Sequence, residues 1–340
     1  MDIMLAEYAV GAGEGGTILL EGRTMLDVLV RSFIAVGHNV VYPTSGLVLQ
    51  AGTAVETKDF DRSVEELSAQ CDAALVVAPD ELLGDLTEMV EENTVNLGCP
   101  SGSIRLCADK LKCTRILENE GIKVPATTVS GEPNVFSLGE KVVLKPRWGC
   151  ASEDTTLTRY SCATMIPEGF VATRYIEGEH LSASLVVGDD TLSRSRSRSR
   201  SQSQSQSQSQ SQSQSQSPLT LPPPTLPLTV NRQNISIGSV IQYNGGTVGV
   251  DTGRNQELFL AAQRSAEALG CRGYVGVDIV LADKPWVIDV NPRPTTSIIG
   301  ISKIMEEELG ELILKAHYGD LPFSVNITNE YNFTKADLTQ

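Results

Sequence analysis

The sequence predicts an α/β protein whose N-terminal part forms a parallel, Rossmann-like sheet. Short apolar runs alternate with helical stretches over the first hundred residues, and strands separated by helices are typical of a parallel sheet covered on both faces. Further along, two apolar runs rich in β-branched residues flank the turn sequence "ADKP". At 340 residues the chain is long enough for two or three domains with a sizeable core.

The predicted elements of the N-terminal part follow in chain order. The glycines of "GAGEGG" come after the first strand without forming G-x-G-x-x-G, and no acid closes a following strand at the usual place. They are a weak candidate for a nucleotide loop, and a flexible connection or one wall of a substrate pocket is the alternative. We predict strands at "IMLAEYAV", "NVVYPT" and "DAALVVAP", and helices over about Leu19 to Val36, Arg62 to Gln70 and Leu82 to Glu92.

The middle and C-terminal parts carry further strand and helix signals. "KVVLKP" predicts a strand with Lys145 near its end, before a loop of small residues, where a lysine and backbone N–H groups can contact a nucleotide phosphate. A solvated surface lysine is the alternative. We also predict strands at "GFVATRYI" and "EHLSASLVV", and helices over about Ala108 to Asn119, Asn255 to Leu269 and Ser302 to Ala316.

The stretch "GYVGVDIVLADKPWVIDVN" predicts a β-hairpin that carries acids. Alternate side chains of a strand share a face, so Asp289 and Asn291 point the same way. If Asp283 and Lys284 form a two-residue turn, counting outward along both strands places Asp278 directly opposite Asp289. Like charges there destabilise a sheet unless a cation binds, and two carboxylates with an amide oxygen suit Mg²⁺ or Mn²⁺. A polar edge hairpin with solvated acids is the alternative.

Charge and composition exclude some classes of function. The net charge of −15 argues against a general nucleic-acid or membrane-surface binder, because phosphates would be repelled. There is no signal-peptide pattern and no run of about 18 apolar residues, which favours a cytoplasmic protein. The seven cysteines are scattered without a C-x-x-C pair, which indicates reduced, mostly buried thiols rather than disulfides or a zinc site.

A low-complexity segment interrupts the chain from Ser193 to Thr225. It repeats Ser-Arg and then Ser-Gln, has no apolar periodicity before its prolines, and is predicted to be disordered. Its removal would join "VVGDDTL" to "LPLTVNRQ", so we interpret it as an insertion in a β-hairpin loop. RNA binding is the functional alternative, but the run has four arginines, and attraction scales with the number of phosphates neutralised.

Five motifs resemble, in order, those of the ATP-grasp superfamily of carboxylate–amine ligases. They are "ADK" before a helix, "VVLKP" with its loop, "TRYIEGEHLS", "GYVGVDIV" and "VIDVNPRP". The resemblance implies an ATP-grasp fold behind an N-terminal pre-ATP-grasp domain at residues 1–100. It implies an ATP-grasp domain at 101–318, with a lid at about 122–176, and a C-terminal tail at 319–340.

The resemblance also implies which residues contact the phosphates of ATP. Lys110 and Lys145 match the two phosphate lysines of the superfamily. Arg293 stands where many members place an arginine near the transferred phosphate, so Arg293 and Lys145 are the expected catalytic residues. Pro292 and Pro294 restrict the backbone around this arginine, which leaves the guanidinium little entropy to lose.

The remaining parts of the expected site bind the nucleoside and the metal. In the superfamily a hinge strand reads adenine through its backbone, here Arg174, Tyr175 and Ile176, and a following acid holds the ribose, here Glu179. The metal ligands map onto the set that the hairpin geometry selects, Asp278, Asp289 and Asn291. Two features depart from the pattern. The loop "RWGCASEDT" is poor in glycine, and many members have a glutamate at the position of Asp289.

The implied reaction is ATP-dependent amide formation from an amino acid and an amine. ATP, with two Mg²⁺ or Mn²⁺ ions, would phosphorylate a carboxylate, and the amine would attack the resulting acyl phosphate. No Ser-His-Asp set is needed, which agrees with three histidines in the chain. The alternatives are another amino-acid ligase of the pyrrolysine-pathway or D-alanine–D-alanine type, an ATP-binding regulator, and an RNA-associated protein. A homodimer is compatible with the sequence, which does not determine the oligomeric state.

Overall fold

The computed structural model describes residues 1–149, 154–189, 225–238 and 240–334. The low-complexity run predicted to be disordered lies outside the described residues, except for Thr225. The described residues form three β-sheets. Among them no helix combines the length and the apolarity that crossing a membrane requires.

The N-terminal sheet is parallel, as the sequence predicts. Its strands are β1 (Asp2–Glu7), β2 (Asn39–Thr44), β3 (Thr53–Glu56), β4 (Ala73–Val77) and β5 (Val95–Asn96), and the connecting helices are α1 (Tyr8–Ala12), α2 (Gly16–Ala35), α3 (Phe60–Ser68) and α4 (Asp80–Asn93). The strand order is β3-β2-β1-β4-β5. Strands β3 and β5 are not among the predicted elements, and β1 ends three residues earlier than predicted because the chain turns into α1.

Both faces of this sheet are buried, which explains its continuous apolar strands. Along β1, Ile3 and Leu5 enter one hydrophobic core, whereas Met4 and Ala6 enter another. Alternate side chains of a strand point to opposite faces, so an apolar strand without polar positions requires cover on both sides. The predicted sheet with two covered faces is therefore confirmed.

The helix predicted from about Ala108 to Asn119 is present from Lys110 to Asn119, and a helix that was not predicted precedes it. The two helices are α5 (Ser101–Ala108) and α6 (Lys110–Asn119). Asp109 separates them, since its backbone is extended and its side chain caps α6 by accepting from the Lys112 N–H at 3.2 Å. Aspartate is a favoured N-cap residue, so Asp109 ends one helix and begins the next.

A small antiparallel sheet follows, which we call the lid sheet. Its strands are β6 (Thr127–Val129), β7 (Lys141–Pro146), β8 (Thr156–Arg159) and β9 (Phe170–Arg174), in the order β6-β9-β7-β8. Its own buried cluster consists of Phe136, Val142 and Ala172. Because that cluster is small, polar contacts with the rest of the chain matter for how the lid sheet is held.

The third sheet has six strands and carries the predicted hairpin. The strands are β10 (Glu179–Val187), β11 (Thr225–Ile237), β12 (Ile241–Val248), β13 (Gly273–Leu281), β14 (Pro285–Asn291) and β15 (Tyr331–Thr334). Their order is β14-β13-β10-β11-β12-β15. Val187 pairs with Thr225, so the low-complexity run lies in a hairpin connection, as predicted, but Thr225 itself belongs to β11.

The hairpin of β13 and β14 has a different turn from the predicted one. Leu281 pairs with Pro285, so three residues form the turn instead of two. A β-bulge then leaves Ile288 outside the pairing and returns Asp278 to a position opposite Asp289. The predicted pairing of the two acids is confirmed, whereas the two-residue turn from which it was counted is wrong.

The C-terminal helices frame this sheet. They are α7 (Asn255–Ala268), α8 (Ser297–Ile304) and α9 (Leu309–Tyr318). The single helix predicted from Ser302 to Ala316 is wrong, because Met305 adopts an extended conformation and pairs with Ile327. The C-terminal segment beyond α9 then adds β15 to the edge of the six-stranded sheet.

Candidate active site

Asp278 and Asp289 face each other across the hairpin. Asp278 Oδ1 accepts a hydrogen bond from Gln233 Nε2 at 2.8 Å, and its Oδ2 accepts one from Asn291 Nδ2 at 3.2 Å. Burial, together with the neighbouring Asp289 carboxylate, raises the pKa of Asp278 to about 6. Burial of Asp278 and its proximity to Asp289 therefore both disfavour the ionised form of this acid.

Asn291 completes a set of oxygen donors that fits a divalent cation. It lies two residues from Asp289 on β14 and opposite Gly276, so both side chains project from one face. Carboxylate and amide oxygens are the hard ligands that Mg²⁺ and Mn²⁺ prefer. Within the described ranges no group of three or more His, Cys, Asp or Glu side chains is arranged as a metal site. A cation on this set would therefore take further ligands from water or substrate.

Lys110 and Lys145 approach the two acids from different elements. Lys110 is the buried first residue of α6; its Nζ lies 3.9 Å from Asp289 Oδ2 and donates to the carbonyl oxygen of Gly149. Lys145 of β7 donates from Nζ to the carbonyl oxygen of Ile288, the bulged residue, at 3.3 Å. Burial lowers the pKa of Lys145, and Asp289 acts in the opposite direction. The predicted lysines thus converge on the hairpin.

Arg293 is held by an acid of the N-terminal part. Its Nε donates to Asp80 Oδ1 at 3.2 Å, and the two residues are 213 positions apart in the chain. Burial raises the pKa of Asp80, while Arg293 acts to lower it. The sequence interpretation missed Asp80. The available signal was its position just after β4, because ligands of open α/β sheets bind beyond the carboxyl ends of the strands.

Glu7 is a second acid that the sequence interpretation missed. It ends β1, the central strand of the parallel sheet, and caps α1 by accepting from the Val10 N–H at 2.8 Å. Gly22 packs against it so closely that a Cβ there would lie 2.4 Å from the carboxyl carbon of Glu7. Burial raises the pKa of Glu7 to about 7, and Arg293 acts to lower it. A buried acid therefore lies within electrostatic reach of the predicted catalytic arginine.

The residues predicted to bind adenine lie where the lid sheet joins the six-stranded sheet. Arg174 is the last residue of β9, while Tyr175 and Ile176 lie in the connection to β10. Of the three residues predicted to form the hinge strand, only Arg174 therefore belongs to a strand. The Arg174 side chain donates to Glu140. The ring of Tyr175 lies 5.4 Å from Lys141 Nζ. These contacts leave the adenine role a prediction.

Glu179 is the first residue of β10, the strand that pairs with β13 and so lies beside Asp278. It lies three positions from Ser182, which pairs with Asp278. Its carboxylate accepts from Arg232 Nε at 2.7 Å. The described contacts of Glu179 are therefore with a neighbouring strand, and its role with the ribose stays a prediction.

The fold and the converging cations define a class of protein, and sequence comparison agrees. The chain belongs to the ATP-grasp family: the ATP-grasp domain profile matches residues 107–207 and 210–297, and that of the pre ATP-grasp 3 domain matches 43–104. Among curated proteins, a tyramine–L-glutamate ligase from Methanocaldococcus fervens is 27% identical over 339 residues, covering 95% of this chain and 97% of the relative. The chain is an ATP-dependent ligase.

Solved structures show the same fold. An ATP-grasp superfamily protein from Archaeoglobus fulgidus superposes with a TM-score of 0.71 at 24% identity, over 97% of this chain and 91% of the other. N5-carboxyaminoimidazole synthetase from Staphylococcus aureus, complexed with ADP, gives a TM-score of 0.69 at 14% identity, over 97% of this chain and 80% of the other. At these identities the similarity establishes the fold alone.

Proposed function

We propose that this enzyme joins the γ-carboxylate of L-glutamate to the amine of tyramine, with release of ADP and phosphate, as a step of methanofuran biosynthesis. The observation that carries the reaction type is the convergence of Lys110 and Lys145 on the Asp278–Asp289 pair. The choice of substrates is supported by the similarity to a tyramine–L-glutamate ligase along nearly the whole chain.

In the first step a carboxylate oxygen of glutamate attacks the γ-phosphorus of ATP. The bond from that phosphorus to the bridging oxygen of ADP breaks, and an acyl phosphate forms. Lys110, Lys145 and Arg293 would neutralise the phosphate oxygens as charge develops, which is the main contribution that a protein makes to phosphoryl transfer. Asp278, Asp289 and Asn291 would hold Mg²⁺ or Mn²⁺, which supplies further charge neutralisation at the phosphates.

In the second step the neutral amine of tyramine attacks the acyl carbon. The bond from that carbon to the phosphate oxygen breaks, phosphate leaves, and the new amide nitrogen loses a proton. Arg293 would stabilise the leaving phosphate while Asp80 fixes the orientation of its guanidinium. For nucleoside binding we keep the backbone of Arg174, Tyr175 and Ile176 for adenine and the carboxylate of Glu179 for ribose.

The proposed substrate pair is tested by the product. Purified enzyme with ATP, Mg²⁺, L-glutamate and tyramine should give γ-glutamyltyramine by mass spectrometry, with one ADP per amide. Phenethylamine, which lacks the phenol, should be the poorer amine, because a site built to pair with a hydroxyl rejects an analogue without it. An amide formed with a different amino acid or amine, and none from this pair, would keep the ligase and contradict the substrate assignment.

The proposed intermediate is tested by trapping. Hydroxylamine in place of tyramine should capture the glutamyl phosphate as a hydroxamate, with ADP released in equal amount. A protein that binds ATP without releasing ADP, and forms no hydroxamate with any amino acid, would contradict the proposed mechanism and favour a regulatory role.

A further inference from the structure

Asp109 and Arg147 form an ion pair beside the two predicted phosphate lysines. Arg147 Nε donates to Asp109 Oδ1 and its Nη2 donates to Oδ2, both at 2.7 Å. The Asp109 side chain is 5% exposed, and that of Arg147 is 25% exposed. A bidentate pair of this kind fixes the angle as well as the distance between its two groups.

The backbone at Arg147 joins the same elements a second time. The Lys110 N–H donates to the carbonyl oxygen of Arg147 at 3.0 Å, and the Arg147 N–H donates to the carbonyl oxygen of Gly169 at 2.8 Å. The guanidinium carbon of Arg147 also lies 4.7 Å from the centre of the Trp148 ring, a stacking contact that restricts its plane. Arg147 therefore connects the start of α6 to both central strands of the lid sheet.

The two residues of the ion pair lie next to the two predicted phosphate lysines in the sequence. Asp109 directly precedes Lys110, and Arg147 follows Lys145 by two residues. We propose that the Asp109–Arg147 pair is a positioning device that sets the spacing between Lys110 and Lys145 for the phosphates of ATP. This inference rests on the proposed phosphate role of the two lysines.

The side-chain contacts of the two lysines cannot keep that spacing once a nucleotide binds, which leaves the ion pair and the backbone hydrogen bond from Lys110 N–H to the Arg147 carbonyl oxygen. Lys110 donates to the carbonyl oxygen of Gly149 and Lys145 to that of Ile288, and a phosphate oxygen would compete for both ammonium groups. The Asp109–Arg147 pair uses neither lysine side chain, so it persists in both states. The small core of the lid sheet gives it little alternative support.

Two conservative variants test the pair. Arg147→Lys keeps the charge but loses the planar fork, and Asp109→Asn keeps a good helix cap but loses the charge. Each should raise the KM for ATP and the Kd for ADP about tenfold, because both lysines bind phosphate in the ground state as well as in the transition state. The KM for the amino acid should not change. The double variant should be no worse than either single one, since the two residues act as one unit.

Arg105→Lys is the matched control. Arg105 pairs with Asp85 and Glu88 on an exposed surface, so the same change there should leave nucleotide affinity at the wild-type value. A thermal melt should first show that Arg147→Lys is folded. The inference is overturned if this variant binds ADP with a Kd within about twofold of the wild-type value while Lys110→Met loses ADP binding. If Asp109→Asn does not fold, the ADP affinity of Arg147→Lys alone decides whether the inference holds. A Lys110→Met enzyme with wild-type ADP affinity would instead overturn the proposed role of Lys110, and this inference with it.

Discussion

Two aspartates at the edges of the candidate site differ in what faces them. Asp109, at the seam with the lid sheet, accepts two hydrogen bonds from Arg147. Burial acts to raise the pKa of Asp109, but the Arg147 guanidinium and the Lys112 N–H outweigh it and hold the pKa below its ordinary value. Asp278, on the hairpin, faces Asp289, and burial, together with that second carboxylate, raises its pKa to about 6.

The difference separates a carboxylate whose charge is paired within the chain from one that faces a second carboxylate. Where the chain supplies its own guanidinium, the negative charge is already balanced and the pair can act as a fixed joint. Where it supplies a second carboxylate instead, two acids share one buried site, and a cation bound there would favour the ionised form of both. Each of the following changes alters one buried or partly buried acid, or deletes the low-complexity run.

The largest effect is expected from Asp289→Asn. The change keeps the size of the side chain but removes one charge from the proposed metal site, so turnover should fall about a hundredfold or more. The melting temperature of the metal-free protein should stay level or rise, because the repulsion with Asp278 is relieved. Steady-state ADP release and a thermal melt measure the two quantities.

Asp283→Asn is the control for this change, because it makes the same substitution at the exposed turn of the same hairpin. It should leave turnover unchanged. Normal metal-dependent activity of the Asp289→Asn enzyme would show that the acid is a structural surface residue.

A pH-dependent effect is expected at Glu7, a buried acid with Arg293 as its nearby cation. Its folded pKa of about 7 exceeds the ordinary value of 4.5, so the folded state holds the proton more tightly than the unfolded state. The free energy of unfolding should therefore fall as pH rises from about 4.5 to about 7, by about 3 kcal/mol at most. Glu7→Gln removes this titration, so denaturant titrations across that pH range should show a smaller fall.

The exposed Glu14 offers the control, and Glu14→Gln should follow the wild-type pH profile. An unchanged slope in Glu7→Gln would mean that Glu7 titrates like an exposed acid and that its burial carries no electrostatic cost.

Asp80 is an intermediate case, since its side chain is 11% exposed and faces Arg293 directly. Asp80→Ala removes the group that orients the guanidinium, so kcat should fall about tenfold with the substrate KM values little changed. Asp85→Ala, on the exposed face of the same helix, should have no effect on kcat. Equal kcat values for both variants would contradict the orienting role.

The smallest effect is expected from deleting residues 193–224. Val187 pairs with Thr225, so residues 188–192 would close the hairpin. Long loops at such a point cost little, because closure entropy grows with the logarithm of length. Turnover and melting temperature should stay near wild type; a folded deletion protein with much lower turnover would show that the run takes part in function.

Much of the fold was predictable because its signals are local. Three of the five strands of the parallel sheet and the position of the insertion follow from apolar runs and alternation, whereas β3 and β5 were not predicted. The pairing of Asp278 with Asp289 was predicted from alternation together with an assumed turn. The turn of that hairpin did not follow, since a three-residue turn and a bulge at Ile288 compensate each other. No local pattern distinguishes this combination from a two-residue turn without a bulge.

The acids of the N-terminal part were not predictable in the same way. Asp80 gains its role from Arg293, 213 residues away, and Glu7 from burial beneath Gly22 of α2. The first contact depends on how the parallel sheet packs against the hairpin, and the second on how α2 packs on β1. Propensity and periodicity encode neither. The short helix α5, which ends just before Asp109, was also not predicted.

The central claim is that the Asp278–Asp289 pair binds the cation that accompanies the nucleotide, and Mn²⁺ binding tests it most directly. Electron paramagnetic resonance of Mn²⁺ titrated into the protein with saturating ADP counts bound ions in wild type, Asp289→Asn and Asp283→Asn. Wild type and Asp283→Asn should bind Mn²⁺ equally, whereas Asp289→Asn should lose at least one ion or bind it about tenfold to a hundredfold more weakly. Equal Mn²⁺ binding by all three proteins would contradict the claim.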